Sequence, residues 1–205
     1  MHDSSPVSAA DPLYQDALAT FSSLIDEARV AGDPEPGAMT LATVGAGGDV
    51  TARVVLLKGV DARGFRFFTN FGSVKARALA VHPVAALCFH WKRPRPLQVR
   101  VEGRVERLPD AESDAYFASR PRRSQLGAWA SRQSETLPDR ATFDAAFAAR
   151  EGEFAGEPVP RPPFWGGFLV VPDRIEFWYG EPDRLHERIS FERRDAGWIR
   201  RLLYP

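Results

Sequence analysis

Three cations stand at every second position in the stretch RIEFWYGEPDRLHER (174–188): Arg184, His186 and Arg188. If this stretch is the returning strand of a hairpin, that spacing puts two guanidiniums and an imidazole on one face. They lie beside an aromatic pair, Trp178 and Tyr179. A cationic row flanked by rings suits a ligand that is both anionic and planar. The competing reading is a charged outer face that includes Glu187.

Three other segments carry polar residues that a simple core does not explain. In TARVVLLKG, Arg53 and Lys58 bracket the apolar run Val54, Val55, Leu56 and Leu57. Their parity is opposite, so one unbroken strand cannot present both on one face. Either each marks a strand end, or they hold two anions of a ligand lying along the strand. In FFTNFGSVKAR, a strand runs through a turn into a helix beginning near Ser73. Free N–H groups at the helix start, with Thr69, Ser73 and Lys75, form an anion pocket, although plain capping also accounts for Ser73. In YFASRPRRSQLGAWASRQS, Tyr116, Arg120 and Ser124 recur at four-residue spacing, but Pro121 interrupts the helix that would align them. Gln133 and Ser134 add an amide and a hydroxyl. Hydroxyl, guanidinium and hydroxyl together suit a phosphate monoester.

Other chemistries lack their residues. The four histidines, His2, His82, His90 and His186, and the single Cys88 show no metal-ligand spacing. Neither a Gly-x-Ser-x-Gly nucleophile elbow nor a Gly-rich phosphate loop is present. Cationic anchors and an aromatic wall without nucleophile or metal fit an enzyme whose organic cofactor does the chemistry. Net formal charge is zero, which argues against general nucleic-acid binding. One cysteine excludes an internal disulfide. No apolar run approaches the ~20 residues of a membrane span. The opening MHDSSPVSAADP has no basic region followed by an apolar core, so a cytoplasmic protein is expected.

The 205 residues, 44% hydrophobic and 26% charged, are ample for a core. Residues 1–12 are expected to be flexible and 13–205 to form one domain. A helical face over 13–28 precedes strands at 39–44, 50–60 and 65–70, a helix capped by Ser73, and strands at 84–91 and 97–108. A helical excursion over about 110–151 begins with a cap at Asp110. The final third returns to strands at 164–171, 174–179 and 184–193, with a last strand after the turn DAG. Without βαβ alternation, a mainly antiparallel barrel with short peripheral helices is expected.

The blocks ARVVLLKGVDARGFRFFTN, QVRVEGRVE, SDAYFASRPRRSQLGAWASRQS, PRPPFWGG and IEFWYGEPDRLHER, with the terminal RLLYP, resemble the pyridoxamine/pyridoxine 5′-phosphate oxidase family from about Pro12 to the last residue. The resemblance implies a split antiparallel β-barrel of Greek-key type. It also implies a homodimer with FMN at the subunit interface and no membrane or nucleic-acid partner. FMN contacts would fall on Arg53, Val54, Val55, Leu56, Leu57, Lys58, Phe68, Thr69, Lys75, Gln98, Gln133, Ser134, Trp178 and Arg188. Lys58, Tyr116, Arg120 and Ser124 would hold the phosphate of a phosphorylated pyridine substrate. Arg184 and His186 would lie over its ring as the catalytic pair, orienting it. The implied reaction oxidises pyridoxamine or pyridoxine 5′-phosphate to pyridoxal 5′-phosphate, with dioxygen as acceptor and hydrogen peroxide, plus ammonia from the amine, released. The alternatives are a divergent flavin oxidoreductase acting on a related aromatic substrate, or a non-catalytic flavin or pyridoxal phosphate binder. The chain departs from many members by having Phe68 for Tyr and Val74 for an FMN-phosphate Arg. Leu97 and Leu169 also stand where arginines are common, and Arg93 or Arg95 would replace a lost charge.

Overall fold

The computed structural model describes residues 11–205. Residues 1–10 of the expected flexible segment therefore lie outside the described residues. Asp11 and Pro12, the other two, are ordered into the first helix, α1 (Pro12–Val30). The Asp11 carboxylate accepts from Leu13 N–H (2.9 Å) and Tyr14 N–H (3.3 Å), which caps the helix. It also accepts from Trp198 N–H (2.9 Å), tying the helix start to the last hairpin.

Five strands of the first half follow in order: β1 (Ala38–Val44), β2 (Val50–Leu56), the short β3 (Gly59–Asp61), β4 (Gly64–Asn70) and, after α2 (Val74–Val81), β5 (Val84–Trp91). Then come β6 (Leu97–Arg107), helices α3 (Asp110–Ser119), α4 (Arg122–Ala130) and α5 (Arg140–Glu153), and strands β7 (Trp165–Tyr179), β8 (Glu187–Arg194) and β9 (Gly197–Leu203). All pairings are antiparallel, in the order β2-β1-β5-β6-β7-β4-β3, with β8 joining β7 and β9 joining β8. The mainly β half-barrel with peripheral helices matches the expected fold class.

Two strand readings are corrected. The strand expected over 50–60 stops at Leu56 and restarts at Gly59. At this break Leu57 N–H bonds Gly37 C=O and Lys58 N–H bonds Arg66 C=O, so the ladder partners change. The strands expected at 164–171 and 174–179 are one strand of 15 residues. Its first half pairs with β4 and its second with β8, while β6 runs along both halves. Pro172 is tolerated at mid-strand because the β6–β7 register shifts between Glu102 and Gly103. Gly103 is required there, since a Cβ would sit 2.0 Å from Val171 O. The bulge is the corner at which β7 leaves one side of the barrel for the other.

The core lies between the sheet and α1. The helix buries Tyr14, Ala17, Leu18, Phe21, Leu24 and Ala28, a stripe at helical spacing. Phe21 meets Phe65 (4.9 Å between ring centres), Phe89 (5.0 Å) and Trp91 (5.9 Å). Burying such a ring is worth about 2–3 kcal/mol. A second cluster of Phe117, Leu126, Val159 and Trp165 fastens α3 and α4 to β7. That attachment builds one wall of the cleft described next.

Candidate active site

A cleft of about 730 Å³ opens between β2, the end of β4 and the α3–α4 corner. Its lining includes Arg53, Val54, Val55, Leu56, Lys58, Phe68, Thr69, Lys75, Tyr116, Arg120, Ser124 and Gln133. The strand break explains how Arg53 and Lys58 reach one cleft despite opposite parity: Lys58 is outside β2. Leu57, between them, packs against the core instead. Arg53 pairs across the ladder with Leu41 and donates to Leu41 O (3.0 Å), Thr43 Oγ1 (2.8 Å) and Thr51 Oγ1. All its partners among the described residues are neutral.

Lys75 lies in the first turn of α2 and is buried. Its Nζ donates to Thr69 Oγ1 (3.2 Å) and Gln133 Oε1 (3.0 Å), and Thr69 Oγ1 donates to Gln133 Oε1 (3.0 Å). Burial, then the nearby Arg53 charge, holds the Lys75 ammonium below its ordinary pKa. Ser73 caps α2: its Oγ accepts from Ala76 N–H and donates to Asn70 O (2.7 Å). The helix-start segment thus serves both readings, with Ser73 as cap and Thr69 and Lys75 in the cleft. Ser134 lies beside the α2 start, accepting from Val74 N–H (3.3 Å), and lines a smaller neighbouring pocket rather than the main cleft.

Tyr116, Arg120 and Ser124 do not share a helix, yet all three line the cleft. Tyr116 is in α3, Arg120 is its extended C-cap, and Ser124 is in the first turn of α4 after Pro121. The proline turns the chain so that the two helices converge. Pro109 precedes α3 without a side-chain cap, so Asp110 is the first helical residue and not the cap. Tyr116 stacks on Phe68 (4.0 Å, 19°), and Phe68 stacks on Trp165 (5.6 Å, 10°). Burial pushes the Arg120 pKa down, with Tyr116 opposing, and its Nη1 is buried without a hydrogen-bond partner among the described residues. Among the described residues, the cleft lining contains four Lys or Arg residues and neither Asp nor Glu.

The closing hairpin is corrected. Arg184 and His186 do not belong to a strand, because β8 begins at Glu187. Arg184 ends a short 3₁₀ turn (Pro182–Arg184) with φ 62°, next to Asp183 at φ 55°. The period-two row therefore does not exist as one strand face. His186 instead lies over Trp178, ring centres 4.4 Å apart, and its Nδ1 accepts from Glu181 N–H (3.1 Å).

Gln98, Trp178 and Arg188 form a row across β6, β7 and β8 through the register pairs Gln98↔Trp178 and Trp178↔Arg188. Their neighbours Val99 and Phe177 are fully buried, so the row lies on the face away from the core. Arg188 donates from Nε (2.9 Å) and Nη2 (2.7 Å) to Glu176 and from Nη1 to Tyr204 O (3.0 Å). Glu176, 2% exposed, also faces Arg174 (3.1 Å) and Arg100 (3.4 Å). None of Gln98, Trp178, Arg184, His186 and Arg188 lines the cleft of its own chain. Arg95 lies over the Tyr179 ring (4.8 Å), and neither it nor Arg93 lines the cleft. Leu97 and Leu169 are core-buried.

Sequence reasoning missed Asn70, Trp165 and Glu176. Asn70 donates to Ser131 O (3.2 Å), holding the 131–133 loop over the end of β4. Trp165 pairs with Asn70 across β4–β7 and lines the cleft. The motif PRPPFWGG contained it, but its role depends on pairing with a strand 95 positions earlier.

This arrangement is that of the FMN-binding split-barrel flavoproteins. A structure of a pyridoxamine 5′-phosphate oxidase-related FMN-binding protein from Nostoc punctiforme PCC 73102 superposes with TM-score 0.67 at 19% identity, covering 93% of this chain and 95% of that one, and shows the shared fold. PhzG from Burkholderia lata 383, solved with tetrahydrophenazine-1-carboxylic acid, superposes with TM-score 0.87 at 31% identity over 98% of this chain and 100% of its own. Residues 25–152 match the family described as "Pyridoxamine 5'-phosphate oxidase", and 165–205 match "Pyridoxine 5'-phosphate oxidase C-terminal dimerisation region". Pyridoxine/pyridoxamine 5′-phosphate oxidases of Myxococcus xanthus (55% identical, covering 93% of this chain and 92% of the relative) and Xanthomonas euvesicatoria pv. vesicatoria (56%; 94% and 98%) are similar throughout. The chain belongs to the pyridoxamine 5′-phosphate oxidase family. Among the described residues, no helix is long and apolar enough to cross a membrane.

Proposed function

We propose that the chain is an FMN-dependent oxidase converting pyridoxamine or pyridoxine 5′-phosphate to pyridoxal 5′-phosphate. The observation that carries this reading is a cleft that, among the described residues, has four cationic side chains, no carboxylate and a buried Arg120 N–H lacking a partner. An unpaired buried donor is costly, and a phosphate oxygen satisfies it. Two phosphates fit two groups of residues. Arg53, Thr69, Lys75 and Gln133, bonded to each other or to neutral oxygens, would hold the FMN phosphate. Lys58, Tyr116, Arg120 and Ser124 would hold the substrate phosphate. Val54, Val55 and Leu56 offer apolar surface between them.

FMN supplies a hydride acceptor that dioxygen reoxidises with release of hydrogen peroxide. The chain's own contribution is binding and orientation, where a misplacement of ~1 Å costs ~100-fold in rate. Gln98, Trp178, Arg184, His186 and Arg188 belong to a second group that one chain does not bring to its own cleft. In a homodimer with its cofactor at the interface, that group would close the partner's cleft, which accords with the dimerisation region matched over 165–205. Ser134, at the cleft margin, would contact FMN beside Gln133. His186 is suited to orient substrate. Its Nδ1 is an acceptor toward Glu181 N–H, so the neutral ring carries its proton on Nε2 and presents a donor there.

PhzG favours a second reading, oxidation of a reduced tricyclic carboxylic acid by the same fold. Steady-state assays of the FMN-reconstituted protein separate the two. Peroxide release with pyridoxamine 5′-phosphate, and none with a reduced phenazine carboxylate, is expected. The reverse pattern would replace the first reading with the second.

A further inference from the structure

Among the described residues, Arg120 is held without a counter-ion. Among the described residues no carboxylate lies within ion-pair distance of it, and its Nη1 has no hydrogen-bond partner. What it meets instead is aromatic: its Cζ is 4.7 Å from the centre of the Trp165 ring and 5.4 Å from that of Phe117. Trp165 is itself immobilised. It is 6% exposed, stacks on Phe68 at 10°, and meets Phe117 edge to face (5.1 Å, 70°). Its carbonyl accepts from Arg161 Nη1 (2.7 Å), and Arg161 is paired with Asp110 (2.8 Å) and Asp114 (2.5 Å) of α3. The ring is thereby locked to the helix whose C-cap is Arg120.

A carboxylate would fix the guanidinium but neutralise it and occupy its N–H edge. A ring face fixes the plane of the guanidinium while leaving charge and donors available. We propose that Trp165 is the positioning residue for substrate selection: its indole face holds Arg120 with the N–H edge free for the substrate phosphate. Preference for a phosphorylated over an unphosphorylated pyridine then depends on the Trp165 ring. This deepens the proposed function and rests on it.

The test is equilibrium binding of 4-deoxypyridoxine 5′-phosphate and of 4-deoxypyridoxine, neither of which has a 4′ group to oxidise, to the FMN-loaded protein. In Trp165→Leu, affinity for the phosphorylated ligand falls about ten- to thirtyfold, the loss of a desolvated cation–π contact. Affinity for the unphosphorylated ligand stays within about twofold, because that ligand makes no demand on Arg120. Arg120→Met weakens the phosphorylated ligand at least as much, and adding Trp165→Leu to it costs little more. A fluorinated tryptophan installed at 165 keeps the shape and weakens the ring face, so it gives a smaller loss confined to the phosphorylated ligand. That variant decides the matter if Trp165→Leu fails to fold. Equal losses for both ligands, full additivity with Arg120→Met, or no effect of fluorination would overturn the proposal. If the unmodified protein does not discriminate between the two ligands, the parent reading of the site fails instead.

Discussion

Replacing Lys75 with Met should move the apoprotein and the cofactor complex in opposite directions. Lys75 is buried; among the described residues its Nζ meets only the neutral oxygens of Thr69 and Gln133, and the neighbouring cation is Arg53. Its pKa is lowered by burial first and by Arg53 second. For a base with a lowered folded-state pKa, the folded chain binds fewer protons than the unfolded chain between the two values. Stability of the apoprotein therefore rises with pH through that window, and the charged form is a cost at neutral pH. Met removes the cost and keeps the aliphatic stem. No carboxylate is orphaned by the change, and Gln133 Oε1 retains the Thr69 donor. The apoprotein should melt at the same or a higher temperature, with a flatter alkaline dependence. FMN binding should lose one charge-assisted contact, about 1.5–3 kcal/mol, or about ten- to hundredfold in Kd. Fluorescence titration of FMN into the apoprotein reads the second effect, and calorimetric melting reads the first. FMN affinity unchanged within about twofold would refute the assignment of Lys75 to the cofactor phosphate.

Other expectations follow from the same geometry. Ser124→Ala should raise KM for the phosphorylated substrate about three- to tenfold with little change in kcat, the loss of one hydrogen bond; an equal fall in kcat would point to a different role. Glu176→Ala leaves Arg100, Arg174 and Arg188 facing a vacated buried site. Those arginines are partly exposed, so the loss in urea unfolding should be about 1–3 kcal/mol, below that of a fully buried pair, and a variant as stable as the parent would count against the network. Asp11 is held below the ordinary carboxylate value of 3.8 chiefly by the Trp198 N–H. A depressed carboxylate stabilises above its unfolded pKa and loses that contribution as pH falls through the folded value. The melting-temperature gap between the parent and Asp11→Ala should accordingly be full at neutral pH and close below 3.8; a gap that persists in acid would exclude the carboxylate as its source.

Local signals in the sequence were enough for α1 and α2, because an apolar stripe and the Ser73 cap are encoded within a few residues. They were also enough to group Tyr116, Arg120 and Ser124, although the spacing implied one helix and Pro121 makes two that converge. The break after Leu56 was hidden by an unbroken apolar run, and only the change of ladder partner to Gly37 and Arg66 ends the strand there. The strands expected at 164–171 and 174–179 are joined through the bulge at Gly103, a feature supplied by the neighbouring strand. The row Arg184, His186 and Arg188 failed because positive φ at Asp183 and Arg184 delays the strand until Glu187. The buried charge hub at Glu176 was missed because alternation on β7 marks it as outward-facing without showing that three arginines from β6, β7 and β8 cover it.

One anaerobic mixing of the FMN-loaded protein with pyridoxamine 5′-phosphate shows whether substrate reduces the flavin. The visible flavin band is expected to bleach with one pyridoxal 5′-phosphate formed per flavin, and to return on admitting air. A band that a chemical reductant bleaches but pyridoxamine or pyridoxine 5′-phosphate leaves untouched would contradict the proposed function.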